Sequence, residues 1–106
     1  MNDSILEILG RLRQRLERTY GSRLANVLLY GSHARHEAAH GSDIDVLVVL
    51  SGPVNAAEEI SRTIDDISEL SLQNDVVICC LFVSQDEYQR GQSPLLLNVR
   101  NEGVPI

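Results

Sequence analysis

Two aspartates separated by one residue open the apolar segment DIDVLVVL, residues 43–50. Side chains two positions apart in a strand share one face, so the carboxylates of Asp43 and Asp45 would project together, with Cα atoms ~7 Å apart. Like charges this close repel each other unless a cation lies between them. Such oxygen ligands suit Mg²⁺ or Mn²⁺, with water and phosphate oxygens completing the coordination. The pair predicts a divalent metal site; a solvated turn at the entry of a strand is the alternative.

The dipeptide Gly31-Ser32 follows the apolar run LANVLLY and precedes a segment of good helix formers. Backbone amides at the start of a helix bind anions, and a glycine lets the backbone come close to a ligand. A phosphate-binding turn, with the Ser32 hydroxyl as a further donor, is therefore one interpretation. An ordinary helix N-cap after a strand is the other.

A third carboxylate, Asp75, heads the apolar run DVVICCLFV, residues 75–83. If this strand lies beside the strand that begins near Asp43, Asp75 reaches the same edge of the sheet. A single aspartate before a strand also serves as a turn residue or a cap, so its place in the site depends on strand order.

Apolar periodicity predicts the elements that must position these residues. Helices are expected over residues 4–19, 32–39, 56–71 and 94–102, a short helical turn at Ser84, and strands over 24–30, 43–50 and 75–83. Alternation of helix and strand is typical of an α/β fold. The short connection between the first two strands is tight for a parallel crossover. We therefore expect a small mixed sheet of three to four strands flanked by helices.

Residue spacing also predicts which faces are buried. The expected apolar stripes are Ile5, Ile8, Leu9, Leu12 and Leu16 in the first helix, and Ala57, Ile60, Ile64, Ile67 and Leu70 in residues 56–71. The nearly unbroken apolar run at 75–83 predicts a strand covered on both faces. The adjacent Cys79 and Cys80 would point to opposite faces, so we expect unpaired, buried thiols in a reducing compartment.

The composition excludes several chemistries. The chain has 106 residues, its nine basic side chains are all arginine, and its formal net charge is −6. Without lysine there is no Walker-type phosphate lysine, Schiff-base lysine or Ser-Lys dyad. Residues 1–23 hold five arginines against three acids, a charge of +2, and residues 24–106 hold four against twelve, a charge of −8. An acidic body does not suit duplex nucleic acid, whereas the basic first helix is either a solvated face or a docking surface for an acidic partner.

No targeting or membrane segment is recognisable in the sequence. The start MNDSILEILGRL lacks the pattern of a signal peptide. No apolar run approaches the roughly 20 residues that span a bilayer. We therefore expect a cytoplasmic protein without a membrane partner.

The combination of motifs resembles a known superfamily. Gly31-Ser32, ten intervening residues and Asp43-x-Asp45 are similar to the pattern of the nucleotidyltransferases that include DNA polymerase β, and the segment LYGSHARHEAAHGSDIDVLVVL strengthens the match. The length and the ending SPLLLNVRNEGVPI resemble the minimal nucleotidyltransferases of prokaryotes, many of them antitoxins encoded beside a HEPN-domain toxin. The resemblance implies a polymerase β-type nucleotidyltransferase fold, with residues 1–106 forming one domain.

The resemblance also implies an activity, namely Mg²⁺-dependent transfer of AMP from ATP to a tyrosine hydroxyl of the partner HEPN toxin. Asp43 and Asp45 would bind two Mg²⁺ ions, with Mn²⁺ as a substitute. Asp75 matches the third carboxylate, which in the family binds the ion that activates the attacking hydroxyl.

The nucleotide-binding residues implied by the resemblance are Gly31 and Ser32, which would hold the β- and γ-phosphates. Arg35 would contact phosphate or form a surface salt bridge. The sequence departs from the family's pattern at His36, usually glycine, and at His33, more commonly arginine, which leaves the finer phosphate contacts open. His33, His36 and His40 fall on one face of the expected helix, a pattern more typical of exposed histidines than of a transition-metal site.

A second function fits the same sequence. The chain could be a catalytically weak or inactive antitoxin that neutralises the HEPN toxin by direct binding. The basic face of the first helix and the apolar tail Val104-Pro105-Ile106 are the surfaces expected to serve that role.

Overall fold

The computed structural model describes residues 3–39 and 41–106, so His40 lies outside the described residues. The elements are α1 (Asp3–Tyr20), β1 (Leu24–Tyr30), β2 (Ile44–Leu50), α2 (Ala56–Asn74), β3 (Ile78–Ser84), α3 (Gln85–Arg90), α4 (Pro94–Glu102) and β4 (Val104–Pro105). A 3₁₀ turn, Gly21–Arg23, links α1 to β1. Among these described elements, no helix is both long and apolar enough to cross a membrane.

The four strands form one mixed sheet in the order β3-β2-β1-β4. β1 runs antiparallel to both β2 and β4, whereas β2 and β3 are parallel. The long helix α2 makes the crossover that parallel neighbours require. The structure thus confirms the α/β fold with a small mixed sheet flanked by helices.

Strand alternation divides the core between the two faces of the sheet. The helix-covered face carries the side chains of Ile44, Val46, Val48 and Leu50, which are completely buried in the cluster formed with α1 and α2. All five residues of the stripe predicted for α1 are buried there. On the opposite face, Leu28, Leu47 and Val49 pack against Leu96 and Val99 of α4.

The stripe predicted for α2 is only partly correct. Leu70 is fully buried, but Ile60 and Ile64 are 49% and 47% exposed, whereas Glu59 and Thr63 are buried. Hydrogen bonds to the Glu59 side chain explain why this polar residue, rather than Ile60, faces the core. The buried carboxylate of Glu59 accepts hydrogen bonds from the Tyr20 hydroxyl (3.1 Å), from Arg62 (3.1 Å) and from the Asn55 amide (3.3 Å). A buried polar group with satisfied partners can displace isoleucine from the core side.

An ion-pair cluster on the outer surface joins the same two helices. Arg15 donates to Asp66 and to Glu69, both at 3.1 Å. This arginine of the basic first helix therefore has acidic partners within the fold, rather than only solvent or a separate docking partner.

A further expectation, that the third predicted strand is covered on both faces, is wrong. β3 is an edge strand with one open face: Cys79 is exposed and Leu81 is 42% exposed, while Ile78 and Phe82 are buried. The apolar tail belongs to the sheet, because Val104 and Pro105 pair with β1 as β4. The Ile106 amide then donates to the Val27 carbonyl (2.9 Å).

Glu59 offers a direct test of the α1–α2 contact. Replacing Glu59 with Gln puts an amide group where three donors converge, so at least one donor loses its acceptor. We expect Glu59→Gln to lower the free energy of unfolding by about 1–3 kcal/mol in urea titrations. As the control, Asp86→Asn removes an exposed pair with Arg90 and should cost no more than about 1 kcal/mol. Equal effects of the two variants would contradict a structural role for Glu59.

Candidate active site

Asp43 and Asp45 lie at the start of β2 and flank Ile44, which is completely buried. The Ile44 amide donates to the Val77 carbonyl at 2.8 Å, which fixes the entry of β2 against the segment before β3. Because Ile44 points into the core, the alternation of the strand directs Asp45 to the opposite face. Asp45 is partly buried and Asp43 is exposed, so both carboxylates remain open to a ligand.

Gly31 brings the end of β1 against this pair. Its φ is +76°, and a Cβ atom at this position would lie 2.5 Å from Asp45 Oδ2. The positive φ favours glycine, and any larger residue would also push the Asp45 carboxylate out of its place. Tyr30, the preceding residue, is the strand partner of Asp45. The candidate phosphate turn thus lies beside the Asp45 carboxylate.

The helix expected over residues 32–39 is wrong. The segment is a turn in which the Arg35 amide donates to the Gly31 carbonyl (3.2 Å) and the Glu37 amide to the Ser32 carbonyl (2.9 Å). His36 has a φ of +59°, a left-handed conformation that stops a helix from continuing. Any anion binding here would therefore come from local amides and the Ser32 hydroxyl, without the dipole of a helix.

Electrostatics at the pair favour a cation. Burial raises the pKa of the Asp45 carboxyl, and the neighbouring charge of Asp43 raises it further, while His33 and Arg35 act in the opposite direction. Burial, and then the charge of Asp45, also raise the pKa of Tyr30. Removing water and adding a like charge both penalise the ionised carboxylate, and a bound cation would relieve the second penalty.

His33 and Arg35 extend from the turn around the site. The His33 ring nitrogen Nε2 lies 3.1 Å from the Ser42 carbonyl oxygen, linking the turn to the residue before Asp43. Arg35 forms ion pairs with Glu37 (3.1 Å) and Glu102 (3.5 Å), and its side chain is 42% exposed. The hydrogen bond that Arg35 donates to Glu37 is the main cause of the raised pKa of Arg35. The structure shows the surface salt bridge anticipated for this residue.

Asp75 takes a different place from the one that strand order suggested. It is the C-cap of α2, with a φ of +53°, and β3 begins only at Ile78. Asp75 lines a cavity of about 770 Å³ together with His33, His36 and residues of α1. The strand residue beside Asp45 is Cys79 instead.

Cys79 is the site neighbour that sequence reasoning missed. Its Sγ lies 3.9 Å from Asp43 Oδ2. Burial, followed by the charges of Asp43 and Asp45, raises the pKa of this thiol. Strand alternation indicates this position. Ile78 and Phe82 face the core, so Cys79, which follows Ile78, faces the opposite side of the sheet. Within residues 3–39 and 41–106, no three side chains of His, Cys, Asp or Glu form a preassembled metal cluster.

The sequence model of the nucleotidyltransferase domain matches residues 9–95, most of the chain, including the turn and both aspartates. The chain belongs to the nucleotidyltransferase domain family. The resemblance drawn from Gly31-Ser32 and Asp43-x-Asp45 is thereby confirmed, and the chain is a nucleotidyltransferase. Among curated proteins, no relative matches it.

Solved structures share the fold of this nucleotidyltransferase. A toxin–antitoxin crystallised with AMP-PNP is 17% identical, with a TM-score of 0.62 over 89% of this chain and 68% of that one. The toxin–antitoxin MntA-HpeT, in a variant with two aspartate-to-glutamate changes, is 15% identical, with a TM-score of 0.58 over 88% and 67%. A candidate nucleotidyltransferase from Sulfolobus solfataricus is 20% identical to this chain. Its TM-score is 0.57, and the match covers 99% of this chain and 86% of that one.

Substitution of Gly31 tests the close approach at the site. Gly31→Ala drives a methyl group into the Asp45 carboxylate, so we expect loss of binding of an ATP analogue with Mg²⁺ in calorimetry. Gly52→Ala is the matched control, because Gly52 has a similar φ of +80° but nothing within 4 Å of a Cβ atom. Both variants should lose about 1–2 kcal/mol of stability to backbone strain, but only Gly31→Ala should lose nucleotide. Equal nucleotide binding by the two variants would exclude a role for the contact.

The raised pKa of Asp45 predicts a pH dependence of stability. The folded state binds this proton more tightly than the unfolded state, so the ionised carboxylate destabilises the fold at neutral pH. We expect Asp45→Asn, in metal-free buffer with a chelator, to be more stable than the wild type at neutral pH. The difference should shrink as pH falls through the pKa of folded Asp45. Urea titrations across this range check it, and Asp45→Asn being less stable at neutral pH would contradict it.

Proposed function

We propose that this nucleotidyltransferase transfers AMP from ATP, with Mg²⁺, to a tyrosine hydroxyl of a HEPN-domain toxin and so acts as its antitoxin. The observation that carries the proposal is the close approach of Gly31 to the Asp45 carboxylate within the matched family segment. Two features supply what nucleotidyl transfer needs, a place for phosphate and a place for a cation beside it. The proposal locates the protein in the cytoplasm, where free thiols such as Cys79 and Cys80 stay reduced.

The residues at the pair fit a divalent ion. Asp43 and Asp45 offer hard oxygen ligands on one face, and the missing Cβ of Gly31 leaves room against Asp45 Oδ2. A bound Mg²⁺ would neutralise triphosphate charge and increase the acidity of the acceptor hydroxyl. Mn²⁺, which prefers the same oxygen ligands, would substitute for it.

The remaining roles belong to the turn. The Ser32 hydroxyl and the amides after Gly31 would orient the β- and γ-phosphates. Arg35, held by Glu37 and Glu102 at the surface, would exchange these exposed partners for phosphate, since exposed ion pairs contribute little stability. In the proposed step the tyrosine oxygen, its proton released to water, forms a bond to the α-phosphorus while the bond to pyrophosphate breaks, in line. Catalysis then consists of positioning and charge stabilisation, for which no lysine is required.

The open face of β3 supports an aromatic acceptor. Leu81 is 42% exposed, two residues beyond Cys79 and therefore on the same face as Cys79 and Asp45. An apolar side chain beside the carboxylate pair offers a contact for a tyrosine ring presented by a partner protein. A serine or threonine hydroxyl would leave this apolar surface uncovered.

The comparisons add support for a toxin partner. One structural neighbour is a toxin–antitoxin complex with AMP-PNP, and another carries aspartate-to-glutamate changes two positions apart, the spacing of Asp43 and Asp45. These facts describe those proteins. For this chain, they motivate testing a HEPN-domain toxin encoded by a neighbouring gene as the acceptor.

The experiment combines the chain, labelled ATP, Mg²⁺ and the neighbouring gene's toxin. We expect label on a toxin tyrosine, located by mass spectrometry, and a loss of about 100-fold or more in rate for Asp43→Asn and Asp45→Asn. Asp86→Asn is the control for an acid remote from the pair. Absence of label on the toxin, while the wild-type chain binds nucleotide and Mg²⁺, would exclude adenylylation of that partner.

A specific observation also favours the catalytically weak antitoxin. The residue beside the pair is the thiol of Cys79 and not a third carboxylate. In this second function, the toxin is neutralised by binding alone. Toxin neutralisation that survives both Asp43→Asn and Asp45→Asn would support the binding function and contradict the enzymatic explanation.

A further inference from the structure

Cys79 occupies the position closest to the carboxylate pair on the neighbouring strand. In the parallel pairing of β2 and β3, Asp45 is matched with Cys79 and Val46 with Cys80. Side chains at paired positions project to the same face of a sheet, and Cys79 Sγ lies 3.9 Å from Asp43 Oδ2. A group at position 79 therefore faces any ion that the two aspartates hold.

Asp75 lies outside β3, at the C-cap of α2, three residues before the strand begins. It lines a cavity together with Ile5 and Ile8 of α1 and with His33 and Ser42 from the approach to β2. Asp45 belongs to the face of the sheet opposite α1 and α2, because its neighbour Ile44 is buried among these helices. The intervening Val77 is held by the hydrogen bond from Ile44, so the offset between Asp75 and the start of β2 is fixed.

We propose that Cys79, and not Asp75, stands where a third metal ligand would lie beside Asp43 and Asp45. Because Cys79 carries a thiol in place of a carboxylate, the chain lacks one carboxylate needed to bind a second ion. The inference rests on the proposed function. Two carboxylates, with phosphate and water oxygens, suffice for the ion that accompanies the nucleotide. A thiol is a soft donor that Mg²⁺ and Mn²⁺ do not prefer, so Cys79 adds little to a second site. Cys79 is then a determinant of how many ions the enzyme holds together with its nucleotide.

The test counts ions rather than turnover. Mn²⁺ bound by the protein with a non-hydrolysable ATP analogue is measured by electron paramagnetic resonance, against a blank of the analogue alone. We expect one Mn²⁺ for the wild type, for Cys79→Asn and for Asp75→Asn. Cys79→Asp places a third carboxylate beside the pair and should bind a second Mn²⁺. The same ion should raise the melting temperature of Cys79→Asp more than that of Cys79→Asn.

Other outcomes overturn the inference. Two bound Mn²⁺ ions in the wild type and one in Asp75→Asn would show that Asp75 is the third metal ligand. An unchanged number of bound ions in Cys79→Asp would exclude position 79 as a ligand position. If Cys79→Asp does not fold, the comparison of wild type with Asp75→Asn still decides between the two residues. Binding of no ion by the wild type, as by Asp43→Asn, would instead overturn the proposed function itself.

Discussion

The hydrogen bond from the Ile44 amide to the Val77 carbonyl is the constraint on which the site depends. It joins the first residue of the central strand to the segment before β3 and so sets the parallel register. Because the Ile44 side chain is buried in the core, strand alternation directs the Asp45 side chain to the opposite face of the sheet. The register then places Cys79 beside Asp45, and one backbone contact thereby determines both the direction of the carboxylates and the identity of their neighbour.

The site combines repulsion with close packing. Burial and the charge of Asp43 both disfavour ionised Asp45, while the Gly31 backbone lies close enough that a Cβ atom there would displace the Asp45 carboxylate. The fold tolerates this arrangement because β1 and β2 are paired along almost their whole length and are buried beneath helices on both faces. The stability of the sheet thus supports a local arrangement that is unfavourable without a cation.

Much of the fold could be predicted because local and tertiary preferences agree. The α1 stripe, the three main strands and the caps at Asn55, Ser84 and Ser93 follow from periodicity and side-chain hydrogen bonding. The rotation of α2 could not be predicted, since it depends on the Tyr20 hydroxyl of α1, which donates to Glu59. The turn after Gly31 contains good helix formers, but the left-handed His36 and the return to β2 override their propensity.

For the candidate site, the sequence identified the aspartate pair and the glycine turn because both are encoded by adjacent residues. The third position depends on where β3 begins, and an apolar run does not show that. Asp75 belongs to the cap of α2, and β3 begins only at Ile78, so the strand residue beside Asp45 is Cys79. Two-residue alternation applies only within a strand and says nothing of Asp75, which lies outside it.

The pairing of β4 with β1 has a consequence for the order of folding. Arg13 donates to the Ile106 backbone oxygen at 2.6 Å, joining residues 93 positions apart. Such distant contacts form only after the intervening chain has been brought together, because the entropy of closing the loop must be lost first. We therefore expect the β1 edge that meets β4 to form after the central β1–β2 pair, and pulse-labelled amide exchange during refolding would show protection there last.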